Sequence, residues 1–239
     1  MFLTTRRLFT AILVLALFVI AAREISDPDF WWHLRTGQFI VETRAIPRAD
    51  IFSFTNAGRP WVAHEWLSEV LIYALYALGS FPALILTFAA LVALTFAFVY
   101  ARAPGKPYIA AFAVLLAALA AAPTLGARPQ MLTLLLGSIF LYVLDQRRDW
   151  LWLLPPLMML WVNLHSGYAL GLVIVAVYLF AQAVSGQRSA ISARQLAIIF
   201  ALCFVAVLFN PNGAAMYVYP FETLTSRAMQ AYIQEWFSP

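Results

Sequence analysis

The sequence predicts an all-α fold, a polytopic transmembrane bundle of about seven or eight membrane helices with interfacial helices in its first outer loop. Three observations predict it: composition, segmentation, and the spacing of positive charge. Hydrophobic residues make up 64% of the 239 residues and charged ones only 11%, against about 25% charged in an ordinary soluble domain. A soluble core this apolar would expose large aggregating patches. The apolar residues fall into separate runs, and arginine-bearing connections alternate with nearly uncharged ones.

A lipid-spanning helix needs roughly 17–25 apolar residues. Residues 8–22 follow Arg6 and Arg7 and form the first candidate. A cleavable signal peptide is the competing reading, because the run is short and ends in small residues. An uncleaved span is preferred, since the run abuts a charged loop in a chain full of further spans. Later runs cover 81–101, 107–122, 129–144, 150–164, 168–184 and 195–209. Turn and charge signals separate them, among them Gly79-Ser80, His165-Ser166-Gly167 and Asn210-Pro211-Asn212-Gly213. Residues 66–78 form a shorter run carrying Glu69, expected to lie half inserted.

Positive loops stay cytoplasmic. Arg6 and Arg7 therefore put the N-terminus inside, and residues 23–65 become the first extracytoplasmic loop of a single membrane domain. Arg102/Lys106, Arg147/Arg148 and Arg188/Arg194 mark further inner connections. The uncharged turns at 123–128, 165–167 and 210–213 then face outward with the first loop. The location expected is a plasma (inner) membrane with the N-terminus cytoplasmic.

Several classes are excluded. No stripe of Lys/Arg interleaved with aromatics suits nucleic acid. The single cysteine, Cys203, permits neither an intrachain disulfide nor a cysteine metal site.

Seven of the eleven acidic residues lie between Glu24 and Glu69, so the first loop holds the polar surface. Asp27-Pro28-Asp29 reads as a helix start, with Asp27 at the N-cap, Pro28 next and Asp29 in the first turn. The helix is expected to run to about Thr43, with Phe30, Leu34 and Val41 along one side and Trp31 and Trp32 at headgroup depth. One cap residue suffices, which leaves the second carboxylate for general-base work; capping and base catalysis both remain open for Asp27 and Asp29. His64-Glu65-Trp66 opens the next helix, and Glu69 lies one turn beyond Glu65. Ionisable groups at membrane depth are costly and usually functional.

The other outward turns add Arg128, Asn163, His165 and Asn210. With His64 and Glu65 they lay out a cavity for an anionic group, Arg128 being the natural phosphate partner. No histidine–carboxylate spacing meets a zinc signature. A divalent cation held by oxygens of Asp27, Asp29 and Glu65 is compatible with the residue types, but spacing does not call for it.

These residues carry a resemblance. The run from Asp27-Pro28-Asp29-Phe30-Trp31-Trp32-His33-Leu34 to His64-Glu65-Trp66-Leu67 resembles the first loop of GT-C membrane glycosyltransferases, especially the bacterial mannosyltransferase and lipid-A aminoarabinose transferase group. Arg128-Pro129-Gln130, Asn163-Leu164-His165-Ser166-Gly167, Asn210-Pro211-Asn212-Gly213 and Glu235-Trp236-Phe237-Ser238-Pro239 look like that group too. The resemblance implies a polyprenyl-phosphate sugar as donor and transfer with inversion at the outer membrane face. It makes Asp27 or Asp29 the base. Two departures stand against it: many relatives carry Lys-Pro-Pro where this chain has His64-Glu65-Trp66, and relatives are commonly longer, so the chain is expected to be a short or truncated member. The competing expectation is a non-catalytic lipid-binding or assembly module of the membrane. A transporter is disfavoured by the lack of an internal repeat.

Overall fold

The computed structural model describes residues 5–185 and 191–232. Among these, helices dominate and the single β-feature is an isolated antiparallel bridge between Ala49 and Pro60. Ten helices follow in order: α1 (Thr5–Ala21), α2 (Phe30–Thr43), α3 (Trp66–Arg102), α4 (Pro107–Ala121), α5 (Gln130–Gln146), α6 (Leu154–Leu164), α7 (Tyr168–Ser185), α8 (Ala193–Ala206), α9 (Tyr219–Thr225) and α10 (Arg227–Tyr232).

Among the described residues, three helical stretches are long and apolar enough to cross a membrane: Trp66–Arg102, Pro107–Thr124 and Tyr168–Ser185. Arg7–Ala21, Gln130–Gln146 and Ala193–Phe209 are shorter apolar helices. Their outward faces stay apolar, with Leu15, Phe112 and Phe180 each more than three-fifths exposed. In water that would be an aggregation surface; against acyl chains it costs nothing.

The packing divides into two apolar clusters. One gathers Leu13 and Leu17 of α1, Phe30 of α2, Leu84 and Phe88 of α3, and Val114 of α4. The other joins Phe140 of α5, Trp161 of α6, Val175 of α7 and Ile199 of α8. Helix α5 contributes to both, through Met131 in the first and Leu136 in the second. At its far end Arg102 meets Asp145 at 2.6 Å, and the Tyr178 hydroxyl donates to the same carboxylate.

Two expectations are corrected and one break is as expected. The apolar runs 66–78 and 81–101 together make up α3, but Gly79 and Ser80 leave helical geometry between them, so the expected break at Gly79-Ser80 is present as a sharp kink between two helical halves. Straight, 37 residues would reach about 55 Å, well beyond a ~30 Å hydrocarbon core; the kink lets the two halves take different directions. Helix α2 begins at Phe30, so Asp29 holds the N-cap position and Asp27 lies before it. Its buried side is Phe30, His33, Thr36, Gly37 and Ile40, while Val41 is exposed. That face follows the i, i+3, i+7, i+10 spacing of a packed helix, but half of it is polar or small. Arg188 lies outside the described residues.

Candidate functional site

Helix α2 packs on the start of α3 at very short range. A Cβ built on Gly37 would fall 2.0 Å from the Glu69 carbonyl oxygen. Only glycine permits this approach, and it brings His33, one turn earlier, over the first turn of α3. The His33 Nδ1 lies 3.7 Å from Glu65 Oε1 and 3.7 Å from Glu69 Oε1. The Trp32 ring lies against the His33 ring in a tilted arrangement, 3.7 Å between centroids. Glu65 and Glu69 share a face because they are four residues apart.

Glu65 is the hub. His64 Nε2 stands 3.6 Å from its Oε2, and His165 Nε2 stands 4.0 Å from the same atom. All three histidines of the chain thus converge on one carboxyl group. His165 is held from behind. Its Nδ1 accepts from the Gly167 N–H at 3.0 Å and lies 2.9 Å from the Thr133 hydroxyl, which itself accepts from Trp161 Nε1. These partners assign the ring proton to Nε2, facing Glu65. His64 has its Nδ1 3.4 Å from the Val62 carbonyl, which turns Nε2 towards Glu65.

Burial sets the protonation. The Glu65 carboxyl is pushed up to about 8, by desolvation first and the nearby Asp29 charge second. His33 is lowered to about 3 by desolvation, with His64, His165 and Arg128 adding to it. His165 falls to about 3 by desolvation, His64 and Arg128, and His64 to about 4 by desolvation, partly offset by the Val62 carbonyl. Near neutral pH the recess holds neutral imidazoles around a protonated Glu65.

The aspartates separate by role. Asp27 Oδ2 pairs with Arg128 Nε at 2.5 Å, and its Oδ1 accepts the Asp29 N–H at 3.0 Å. Both oxygens are engaged, which joins the first loop to the 123–128 turn. Asp29 is exposed at the entrance, close enough to act electrostatically on Glu65.

The two asparagines serve as braces. Asn163 Oδ1 accepts from Trp66 Nε1 at 2.8 Å, and its amide donates to the Met159 carbonyl at 2.8 Å. Asn210 donates to the carbonyls of His64 at 3.2 Å and Val162 at 2.9 Å. Ser68 donates to the Leu164 carbonyl, and Arg48 reaches Asn212 and the Pro211 carbonyl at 3.1 and 3.0 Å. Beside the recess, a cavity of about 500 Å³ is lined by Trp32, Trp61, Phe52, Asp50 and Arg59 among others. Asp50 shapes it by accepting the backbone N–H groups of Phe52 and Ser53 at 2.9 Å.

Asp27, Asp29, His64, Glu65, Arg128 and His165 are therefore brought to one end of the helices. His33 and Glu69 join them as members the motif reading did not single out as site residues. His33 was recoverable from its register with Phe30, Gly37 and Ile40. The cation-capable group that forms is His33, Glu65 and Glu69, rather than Asp27, Asp29 and Glu65. Glu235 and Trp236 lie outside the described residues.

Among the described residues, fold and site define a helical architecture with three helices suited to crossing a membrane and a histidine–carboxylate recess at one end. Comparison with models of known protein families, with curated proteins and with solved structures finds no match to it.

Proposed function

We propose that the chain is a GT-C-like glycosyltransferase that moves a sugar from a polyprenyl-phosphate donor to an acceptor at the outer face of a bacterial inner membrane. The observation that carries this reading is the gathering of Asp27, Asp29, Arg128, His64, Glu65 and His165, from four distant parts of the sequence, at one end of the bundle. In this reading the shorter apolar helices and the α6 region also cross, giving about seven or eight membrane helices. The N-terminus is cytoplasmic.

Asp29 is the base. It is exposed, whereas Asp27 is tied to Arg128 and Glu65 holds its proton up to about 8. Asp29 takes the proton of the acceptor hydroxyl, and the acceptor oxygen attacks the anomeric carbon. The bond from that carbon to the phosphate oxygen breaks, its electron pair leaves with the polyprenyl phosphate, and the configuration inverts. Arg128 meets the phosphate by exchanging part of its contact with Asp27.

The test is release of polyprenyl phosphate in proteoliposomes supplied with donor and acceptor. Asp29→Asn is expected to abolish release while leaving insertion and unfolding temperature unchanged; undiminished turnover in that variant overturns the assignment. The second reading, a lipid-phosphate-binding module, is favoured by the full engagement of Asp27. It requires donor binding without transfer in the unaltered chain, with Asp29→Asn leaving binding unchanged.

A further inference from the structure

We infer that His33, Glu65 and Glu69 form a binding site for one divalent transition-metal cation of the zinc or manganese kind. The proposal rests on the geometry of the recess and stands whether or not the chain transfers sugar.

The three side chains each offer one ligand atom, and these atoms lie within 4.8 Å of one another. All three residues are buried, His33 at 4% exposure, Glu65 at 6% and Glu69 at 0%. The His33 Nδ1 and both carboxylate oxygens of Glu69 have no hydrogen-bond partner among the described residues. Leaving such groups unsatisfied costs about 1–3 kcal/mol each, more when charged. Three such atoms from two neighbouring side chains, His33 Nδ1 and the two Glu69 oxygens, are buried beside Glu65 without a hydrogen-bond partner among the described residues.

A proton is the wrong partner. Hydrogen bonds between these atom types close to about 2.5–3.2 Å, and the gaps from His33 Nδ1 to each carboxylate are 3.7 Å. A cation bound at about 2.0–2.2 Å holds its ligand atoms about 3.4 Å apart in a tetrahedral arrangement and about 4.2 Å apart in a linear one. The two His33–carboxylate separations of 3.7 Å fall between these limits, and the remaining ligand pair lies within 4.8 Å, so side-chain movement closes the sphere.

The donor set narrows the ion. Calcium and magnesium prefer all-oxygen shells; one imidazole with two carboxylates suits zinc, manganese or ferrous iron. Three protein ligands leave a position open, as in reactive rather than purely structural sites. His64 Nε2 stands 3.6 Å from Glu65 Oε2, and His165, fixed from behind by Gly167 and Thr133, stands 4.0 Å from the same oxygen. Metal-ligating groups are characteristically oriented by such outer partners. The close approach at Gly37 is what holds the nitrogen ligand over the two oxygens.

The test uses the purified full chain in detergent. It is stripped with a chelator, then titrated separately with zinc and manganese, with bound metal measured by mass spectrometry and affinity by competition with a chromophoric chelator. One ion per chain is expected for at least one of the metals. His33→Gln and Glu69→Gln should each weaken it at least tenfold, while Glu42→Gln, an exposed acid away from the recess, leaves it unchanged. The ion should also raise the unfolding temperature of the unaltered chain, a readout that needs no variant to fold. Failure of both metals to bind stoichiometrically, or wild-type affinity in His33→Gln and Glu69→Gln, overturns the site.

Discussion

Glu65 holds a proton in the folded chain that an unfolded chain gives up. Its carboxyl rises from 4.5 to about 8, so between those values the folded state binds more protons and stability falls as pH rises. The histidines act in the opposite sense. His33, His64 and His165 fall from 6.5 to between about 3 and about 4, so the unfolded state binds more protons there and stability falls as pH drops below 6.5. Above 6.5 the histidine effect has ended, while the Glu65 effect continues up to about 8. Metal-stripped protein should therefore lose unfolding temperature steadily from pH 6.5 to 8, and Glu65→Gln should flatten that decline. A decline of equal slope in the variant would remove Glu65 as its cause.

At this scale the sequence was informative wherever a polar residue interrupts an apolar run. Asp27, His64, Glu65, Arg128 and His165 all announce themselves that way, and all converge. His33 does not, because it lies off the Phe30-Leu34-Val41 side expected to be apolar and interrupts no long apolar run. In fact the polar and small side, His33-Thr36-Gly37, is the packed side. Pattern alone cannot distinguish a solvated polar face from one buried against a polar recess.

Between elements, the docking of α2 on α3 depends on one missing methyl group. Gly37→Ala would thrust a carbon to 2.0 Å from the Glu69 carbonyl oxygen and 2.9 Å from Tyr73 Cβ. Backbone cannot yield by that much without the helices separating. The usual gain of about 1 kcal/mol for Gly→Ala inside a helix should be reversed into a loss of about 2 kcal/mol or more. Chemical denaturation in detergent would measure it, and stabilisation by the alanine would refute the close approach. Helix existence was readable from apolar length, as the bounds of α4, α5, α7 and α8 lie close to the expected runs. Helix starts were less so. At α2 the Asp27 carboxylate is shared, one oxygen accepting the Asp29 N–H and the other meeting Arg128, a residue about a hundred positions later that no local pattern connects to it.

For the whole molecule, the arginine distribution predicts a sidedness that surface labelling can read. In a Cys203→Ala background, Asn56→Cys in the first loop should react with a membrane-impermeant maleimide from outside intact cells. Gly105→Cys, in the connection after α3, should react only after the membrane is opened. Both reacting from outside would invert the assignment downstream of α3. Composition was enough to say that lipid is the expected solvent, because apolar residues cover the outer faces as well as the cores. How many helices cross was not readable, since the shorter apolar helices fall near the length at which a span and a buried helix look alike.

The braces from Arg48 to Asn212 and from Asn210 to the His64 carbonyl tie together positions 164 and 146 residues apart. During synthesis His33, Glu65 and Glu69 emerge early, but these clasps can close only once residue 212 has been made. Until then the recess lacks the wall that these contacts hold in place.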